Sequence, residues 1–168
     1  MSSWGKYKPN ESGKNSWSQE EAFEKLTTFC AYQERCPWEI RRKLYEKGIS
    51  DDKAEQLINE LIAAEFVNEE RYARSFARGK FRLKKWGRNR IRMELKMREI
   101  SEQLIKKGLS EIDPEEYYDT LLSQTEKKWE STHESESFKK KYKVIQYLMT
   151  RGFEMDLVKE AVESLQTQ

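Results

Sequence analysis

Apolar residues recur along this chain at spacings of three and four, the period of a helix that buries one face. Ala22, Leu26, Phe29 and Cys30 make the first such stripe. Pro37 then suits the first turn of a second helix, where its missing N–H costs nothing. That helix carries Ile40 and Leu44 inward and stops at Gly48, a residue fitted to the left-handed position after a helix. Ser50 is placed to cap a third helix, with Asp51 and Asp52 at its positive end and Ala54, Leu57, Ile58, Leu61 and Ile62 along its buried face. From residue 19 onward the pattern is helical almost throughout.

The pattern then returns. Residues 38–50 read WEIRRKLYEKGIS, and residues 89–101 read NRIRMELKMREIS. Ile40, Arg41, Leu44, Ile49 and Ser50 fall on Ile91, Arg92, Leu95, Ile100 and Ser101. Ahead of this second copy, Asn68 caps a helix bearing Tyr72, Ala73, Phe76 and Ala77, which Gly87 breaks. After it, Ser101 caps a helix with Leu104, Ile105, Leu109 and Ile112. A third copy opens at Asp113 and Pro114 with Tyr118, Leu121, Leu122, Thr125 and Trp129, turns through residues 130–137, and stops its middle helix, bearing Val144 and Leu148, at Gly152. Its last helix, with Val158, Ala161, Val162 and Leu165, matches Ala54, Leu57, Ile58 and Leu61 of the first copy. The expected fold is all-α: an elongated tandem array of three three-helix, helix-turn-helix-like modules. Their expected spans are 19–66, 67–112 and 113–168, behind a flexible tail over 1–18. Each module is too small to bury much alone, so neighbours must stack or share a face.

Composition fits such an array. Of 168 residues 37% are charged and the mean hydropathy is −1.01, polar enough to imply little shared core, while 12% aromatics are too many for a disordered chain. Cys30, Cys36 and His133 are too few for a structural zinc site, and the two thiols are expected to stay reduced, as in a cytoplasmic protein. No run approaches the roughly 18 apolar residues of a membrane span, and the N-terminus lacks the apolar core of a signal peptide. GKNS at residues 13–16 is not a phosphate loop, because Lys8 stands where its first Gly belongs and Asn15 replaces the magnesium-holding Ser or Thr. Trp4 and Trp17 stand isolated in the tail and receive no role.

Charge changes the picture more than composition does. Between residues 71 and 98 the chain carries Arg71, Arg74, Arg78, Lys80, Arg82, Lys84, Lys85, Arg88, Arg90, Arg92, Lys96 and Arg98 against one acid, Glu94. This surplus of +11 leaves the rest of the chain at −9 for a total of +2. With a single acid among these bases, local balance is not expected. The segment with its Trp86 reads as a surface for a polyanion or an acidic partner. No catalytic constellation emerges. His133 sits in a polar turn, the pairs Asp51/Asp52 and Glu69/Glu70 lie at helix starts where capping explains them, and Cys30 belongs to an apolar stripe. No enzyme activity, metal or cofactor is expected.

Two phrases carry a family resemblance. NEERYA (residues 68–73), a basic helix and then G-x-x-R-I-R-x-E-L through Gly87, Arg90, Ile91, Arg92, Glu94 and Leu95 resemble the bacterial regulatory RecX family. So does P-W-E-I-R-R-K-L-Y-E-K-G over residues 37–48. The family's N-D-E-R-F-A is here N-E-E-R-Y-A, and Arg98-Glu99-Ile100 replaces a usual K-G-I ending, which leaves that helix end without its glycine. The resemblance implies tandem three-helix repeats and a non-catalytic modulator of RecA recombinase. Such a modulator binds the groove of the RecA filament on single-stranded DNA and lowers ATP hydrolysis and strand exchange during recombination, repair and the SOS response. The basic residues named above, with Trp86, are the expected contacts to filament or DNA, and a monomer is expected. Two other readings stay open: a sequence-independent DNA-binding protein of tandem helix-turn-helix-like modules, and a solenoid adaptor for an unrelated acidic partner.

Overall fold

The computed structural model describes residues 16–165. Among them there are nine α-helices and no strand: α1 (Gln19–Tyr32), α2 (Pro37–Glu46), α3 (Asp51–Ala63), α4 (Glu69–Lys84), α5 (Arg88–Met97), α6 (Glu102–Leu109), α7 (Pro114–Ser131), α8 (Ser137–Thr150) and α9 (Met155–Ser164). The all-α tandem three-helix fold expected from the pattern is present. A boundary inside α4, between Tyr72 and Ala73, separates two compact units.

In the first unit α3 packs on both α1 and α2. Leu26, Ile40, Leu44, Leu57 and Leu61 are fully buried there, and Trp17 lies against the same core. Trp17 is also tied by its backbone N–H to the Lys47 carbonyl at 3.3 Å. Ser18 caps α1 and closes a capping box with Glu21. These two residues, expected at the end of a flexible tail, are therefore structural parts of the unit. Trp4 and residues 13–15 of the GKNS run lie outside the described residues. Ile62, expected in the buried stripe, is 43% exposed.

The repeated phrase encodes a repeated turn. After α2, α5 and α8 the residues Gly48, Glu99 and Gly152 adopt positive φ of 75°, 62° and 92°. In each case the next residue donates its N–H five positions back, Ile49 to Leu44 at 3.1 Å, Ile100 to Leu95 at 3.1 Å and Phe153 to Leu148 at 3.2 Å. The positive-φ residues themselves donate to Tyr45, Lys96 and Met149. This is the Schellman arrangement, which satisfies carbonyls that a helix end would otherwise leave open. Ile49, Ile100 and Phe153 are all buried, and Ser50, Ser101 and Glu154 follow as N-caps of α3, α6 and α9. Ser101 bonds the Leu104 N–H through its side chain, whereas Ser50 holds the position without that bond. Glu99 shows how the second copy turns without glycine: it takes the left-handed conformation itself.

In the second unit α5 packs on α6, and α7, α8 and α9 pack mutually. Two glycines fix how the later helices meet the earlier ones. A Cβ on Gly108 of α6 would lie 2.7 Å from the Ala73 carbonyl oxygen of α4. A Cβ on Gly87 would lie 2.2 Å from the Gly152 carbonyl. Backbone thus meets backbone, and the Gly87 N–H donates to Arg151 O at 2.8 Å while the Asn89 N–H donates to Gly152 O at 3.0 Å. Beside this joint Tyr117 is buried between Phe81 and Phe153, with ring centroids at 5.6 and 5.4 Å. The core tyrosine of α7 is therefore Tyr117 and not the half-buried Tyr118 that the periodicity suggests.

Gly87→Ala should destabilise the protein by about 3 kcal/mol or more, because neither backbone can retreat. Gly79→Ala, inside α4 with open space around it, should instead stabilise by about 0.5–1 kcal/mol. Urea unfolding of both variants checks the contrast. Glu99→Gly should raise stability by about 0.5–1 kcal/mol in the same unfolding measurement, as relief of the left-handed conformation outweighs the added chain entropy.

Candidate polyanion-binding surface

Most of the basic run is neutralised by acids that the sequence places far away. Arg74 and Arg78 share Glu111 at 2.6 and 3.0 Å. Arg82 lies 3.6 Å from Glu116, and Arg88 lies 3.5 Å from Glu154. Arg92 and Lys96 share Glu102 at 2.9 and 3.3 Å, and Arg98 pairs with Glu94 at 2.7 Å. Arg71 belongs to the first unit and is engaged there by Glu34 and Glu65. The run is thus not balanced from within its own segment, as expected, but from outside it: the acids arrive from α6, the α6–α7 turn, α7 and the start of α9. Each exposed pair contributes little to stability, but together they remove most of the surplus charge from the surface.

Lys80, Lys84, Lys85 and Arg90 are left with no ion pair among the described residues. Lys80 and Arg90 both sit against the Trp86 ring, 5.1 and 4.1 Å from its centroid. Lys80 also lies 5.2 Å from the Phe76 centroid, and Arg98 lies 5.0 Å from the same ring. Cations and rings therefore alternate as Arg98, Phe76, Lys80, Trp86 and Arg90 across α4 and α5, each contact favoured by the ring quadrupole.

Local structure explains why this cluster stands where it does. Lys85 ends α4 in a left-handed conformation, φ 54°, and Gly87 starts α5. The Arg151 guanidinium donates to the carbonyls of Lys84 and Lys85. The main chain of the turn is thus held from the α8 side, while Lys84 is exposed and Lys85 half-exposed. The first N–H groups of α5 are also occupied, by Arg151 O, the Tyr117 hydroxyl at 3.0 Å and Gly152 O. A helix N-terminus often receives an anion, but here that place is filled by protein. Tyr117 donates to Glu154 at 2.5 Å. Burial, then this bond, holds its phenol well above the ordinary tyrosine range, so the hydroxyl stays neutral and bridges α5 to α9.

Some surface features escaped the sequence pattern. Leu83, Met93 and Met97 are 82%, 55% and 62% exposed, and Met93 and Met97 line a shallow groove with Asn89, Arg92 and Lys96. Arg151 was also missed. Its one signal is position, beside the Gly152 that ends the third copy of the repeat. His133 is exposed in the α7–α8 turn, and burial pushes the Cys30 thiol up to about 11, consistent with a core residue. No helix of the described residues is long and apolar enough to cross a membrane.

Comparison with known families assigns all three repeats in order. Residues 22–61 match the model described as RecX, first three-helix domain; residues 68–109 match the second, and residues 115–162 the third. The chain belongs to the RecX family. The regulatory protein RecX of Clostridium perfringens (strain 13 / Type A) is 33% identical over 76% of this chain. The chain spans about 60% of the length of that curated relative. The RecX of Haemophilus influenzae (strain PittGG) is 28% identical over 80% of this chain and 88% of its own length. The crystal structure of RecX from Lactobacillus salivarius superposes with a TM-score of 0.75 at 22% identity, covering 89% of this chain and 97% of that one. A second RecX crystal structure gives 0.77 at 23%, over 87% of this chain and 71% of the other. At such identities these structures speak for the fold.

The Arg74–Glu111–Arg78 cluster has a pH signature. The hydrogen bond from Arg74, with the nearby charges, holds the Glu111 carboxyl below its ordinary 4.5. A depressed carboxyl stabilises above its unfolded value and loses that contribution as pH falls through the folded one. Glu111→Gln should therefore unfold more readily than wild type at pH 7, and the gap should close towards pH 3. Urea midpoints at the two pH values measure it.

Proposed function

We propose that this chain is a non-catalytic regulator of RecA recombinase. It binds the groove of the RecA filament on single-stranded DNA as a cytoplasmic monomer and lowers ATP hydrolysis and strand exchange. In the cell it would act in recombination, repair and the SOS response. Membership of the RecX family supports the reading, and all three of the family's three-helix domains are matched in this chain. The observation that carries it is the cluster of Lys80, Lys84, Lys85 and Arg90 around Trp86. After the internal acids have taken the other cations, these remain available to filament carboxylates or to DNA phosphates. A plain DNA-binding reading draws on the same cluster, since Trp86 can stack on a base and the lysines release counterions.

Single-strand-DNA-dependent ATP hydrolysis by RecA, titrated with this protein beside binding to bare DNA, separates the two. The proposal expects hydrolysis to fall at amounts well below those that titrate the DNA. If hydrolysis falls only in step with DNA sequestration, the protein competes for DNA instead. Lys84→Glu combined with Lys85→Glu should raise the concentration needed for half inhibition about tenfold. These positions are chosen over Arg88 and Arg92, whose replacement would also break the ion pairs to Glu154 and Glu102.

A further inference from the structure

Helix α8 carries a feature that neither the repeat nor the basic run explains. Its sequence, SFKKKYKVIQYLMT, contains no acid. Val144 and Leu148 face the core, yet Phe138 and Tyr142 stand 81% and 58% exposed. They are four residues apart, so they share a face one turn apart. Lysines surround them. Lys139 and Lys143 are paired with Glu136 and Glu134 at 2.7 and 2.8 Å, which engages the two acids just ahead of the helix. Lys140 rests 4.8 Å from the Trp129 centroid, and Lys140 and Lys141 have no ion pair among the described residues.

We infer that the first half of α8 is a stacking platform for single-stranded nucleic acid, separate from the Trp86 cluster. Bases lie against Phe138 and Tyr142, and Lys141, on the flank of that face, offsets the phosphate between them, while Lys140 points the other way, onto Trp129. The spacing fits. Four residues of helix rise about 6 Å, nearly twice the 3.4 Å step of stacked bases in a duplex strand. Each ring can therefore receive one base of an unstacked strand, as in aromatic recognition of single strands. A duplex keeps its bases inside and cannot use the rings.

The same face continues to Ile145 and Met149, which would suit a protein helix docking along the stripe. Those two are already half-buried within their own unit. The exposed part stops at two rings, far short of the roughly 800 Å² per partner of a stable protein interface. Two rings flanked by the unpaired Lys141 fit two nucleotides better.

The test uses the full chain and a fluorescein-labelled oligothymidylate, followed by anisotropy across a salt series. Phe138→Ala with Tyr142→Ala should weaken binding about tenfold or more and leave the salt dependence unchanged, because rings release no counterions. Lys141→Gln should instead reduce the slope of log K against log salt by about 0.7. Both rings are exposed, so the variants should keep the wild-type helical circular dichroism. Phe138→Trp should preserve affinity. The inference is overturned if the wild type does not bind the oligonucleotide, or if the double alanine variant binds within twofold of it. It is equally overturned if that variant loses only RecA inhibition, since the rings would then touch protein. Because the readout is bare DNA, a failure here leaves the RecA reading standing, and a failure of that reading leaves this one standing.

Discussion

Two stretches of backbone meet without side chains between them at Gly87 and Gly152, and the second unit is built around that meeting. The approach is closer than any Cβ allows, and it brings the α8–α9 turn to the α4–α5 turn. Once there, Arg151 and Gly152 offer carbonyls to the open N–H groups of α5, and Arg151 returns its guanidinium to the carbonyls that end α4. Tyr117 completes the seam by packing on Phe81 and Phe153 while its hydroxyl serves Arg88 and Glu154. The end of one helix and the start of another are thus satisfied by protein rather than by water or ligand. This is why the repeats that contain α5 and α8 form one compact unit.

The same seam decides which charges remain for a partner. Acids from α6, the α6–α7 turn, α7 and the start of α9 can reach Arg74, Arg78, Arg82, Arg88, Arg92 and Lys96 because those elements are held against α4 and α5. At the turn the inner side is filled by Arg151 and glycine, and Glu154 is taken by Arg88 and Tyr117. Lys84, Lys85 and Arg90 are therefore left over by geometry, not merely by sequence surplus. A charge count along the chain gives +11 for the run, and the folded surface presents a far smaller, more local excess around Trp86.

Periodicity made the helices legible, and the offset of 51 residues made the repeat legible, because both are local properties. The Schellman turns were legible at Gly48 and Gly152, where glycine marks the left-handed position. At Glu99 the same turn was hidden, since its residue type argues against the conformation it adopts. Gly87 was read as a helix breaker, which is true but incomplete: its close approach to Gly152 joins residues 65 positions apart, and no local pattern records that. Tyr117 was missed by one position for the same reason, because its burial comes from Phe81 and Phe153 rather than from the stripe of α7 alone. Trp17 was assigned to a tail because its neighbours in sequence are polar, while its neighbours in space are the first-unit core and the cations Lys25 and Lys47.

The basic surface was legible as a segment and not as a site. Side-chain type fixes the number of cations, but their availability depends on where distant carboxylates arrive. Ring contacts select among the remainder. A lysine free in solvent must lose rotamer freedom on binding a phosphate or carboxylate, whereas Lys80 and Arg90 are already held against Trp86, and the chain beneath Lys84 and Lys85 is pinned by Arg151. Ordering is thus partly complete before any partner arrives. Preorganisation of this kind favours a small cluster over a longer run of mobile charge, and it links the Gly87–Gly152 joint, which is filled by protein, to the order of the side chains above it.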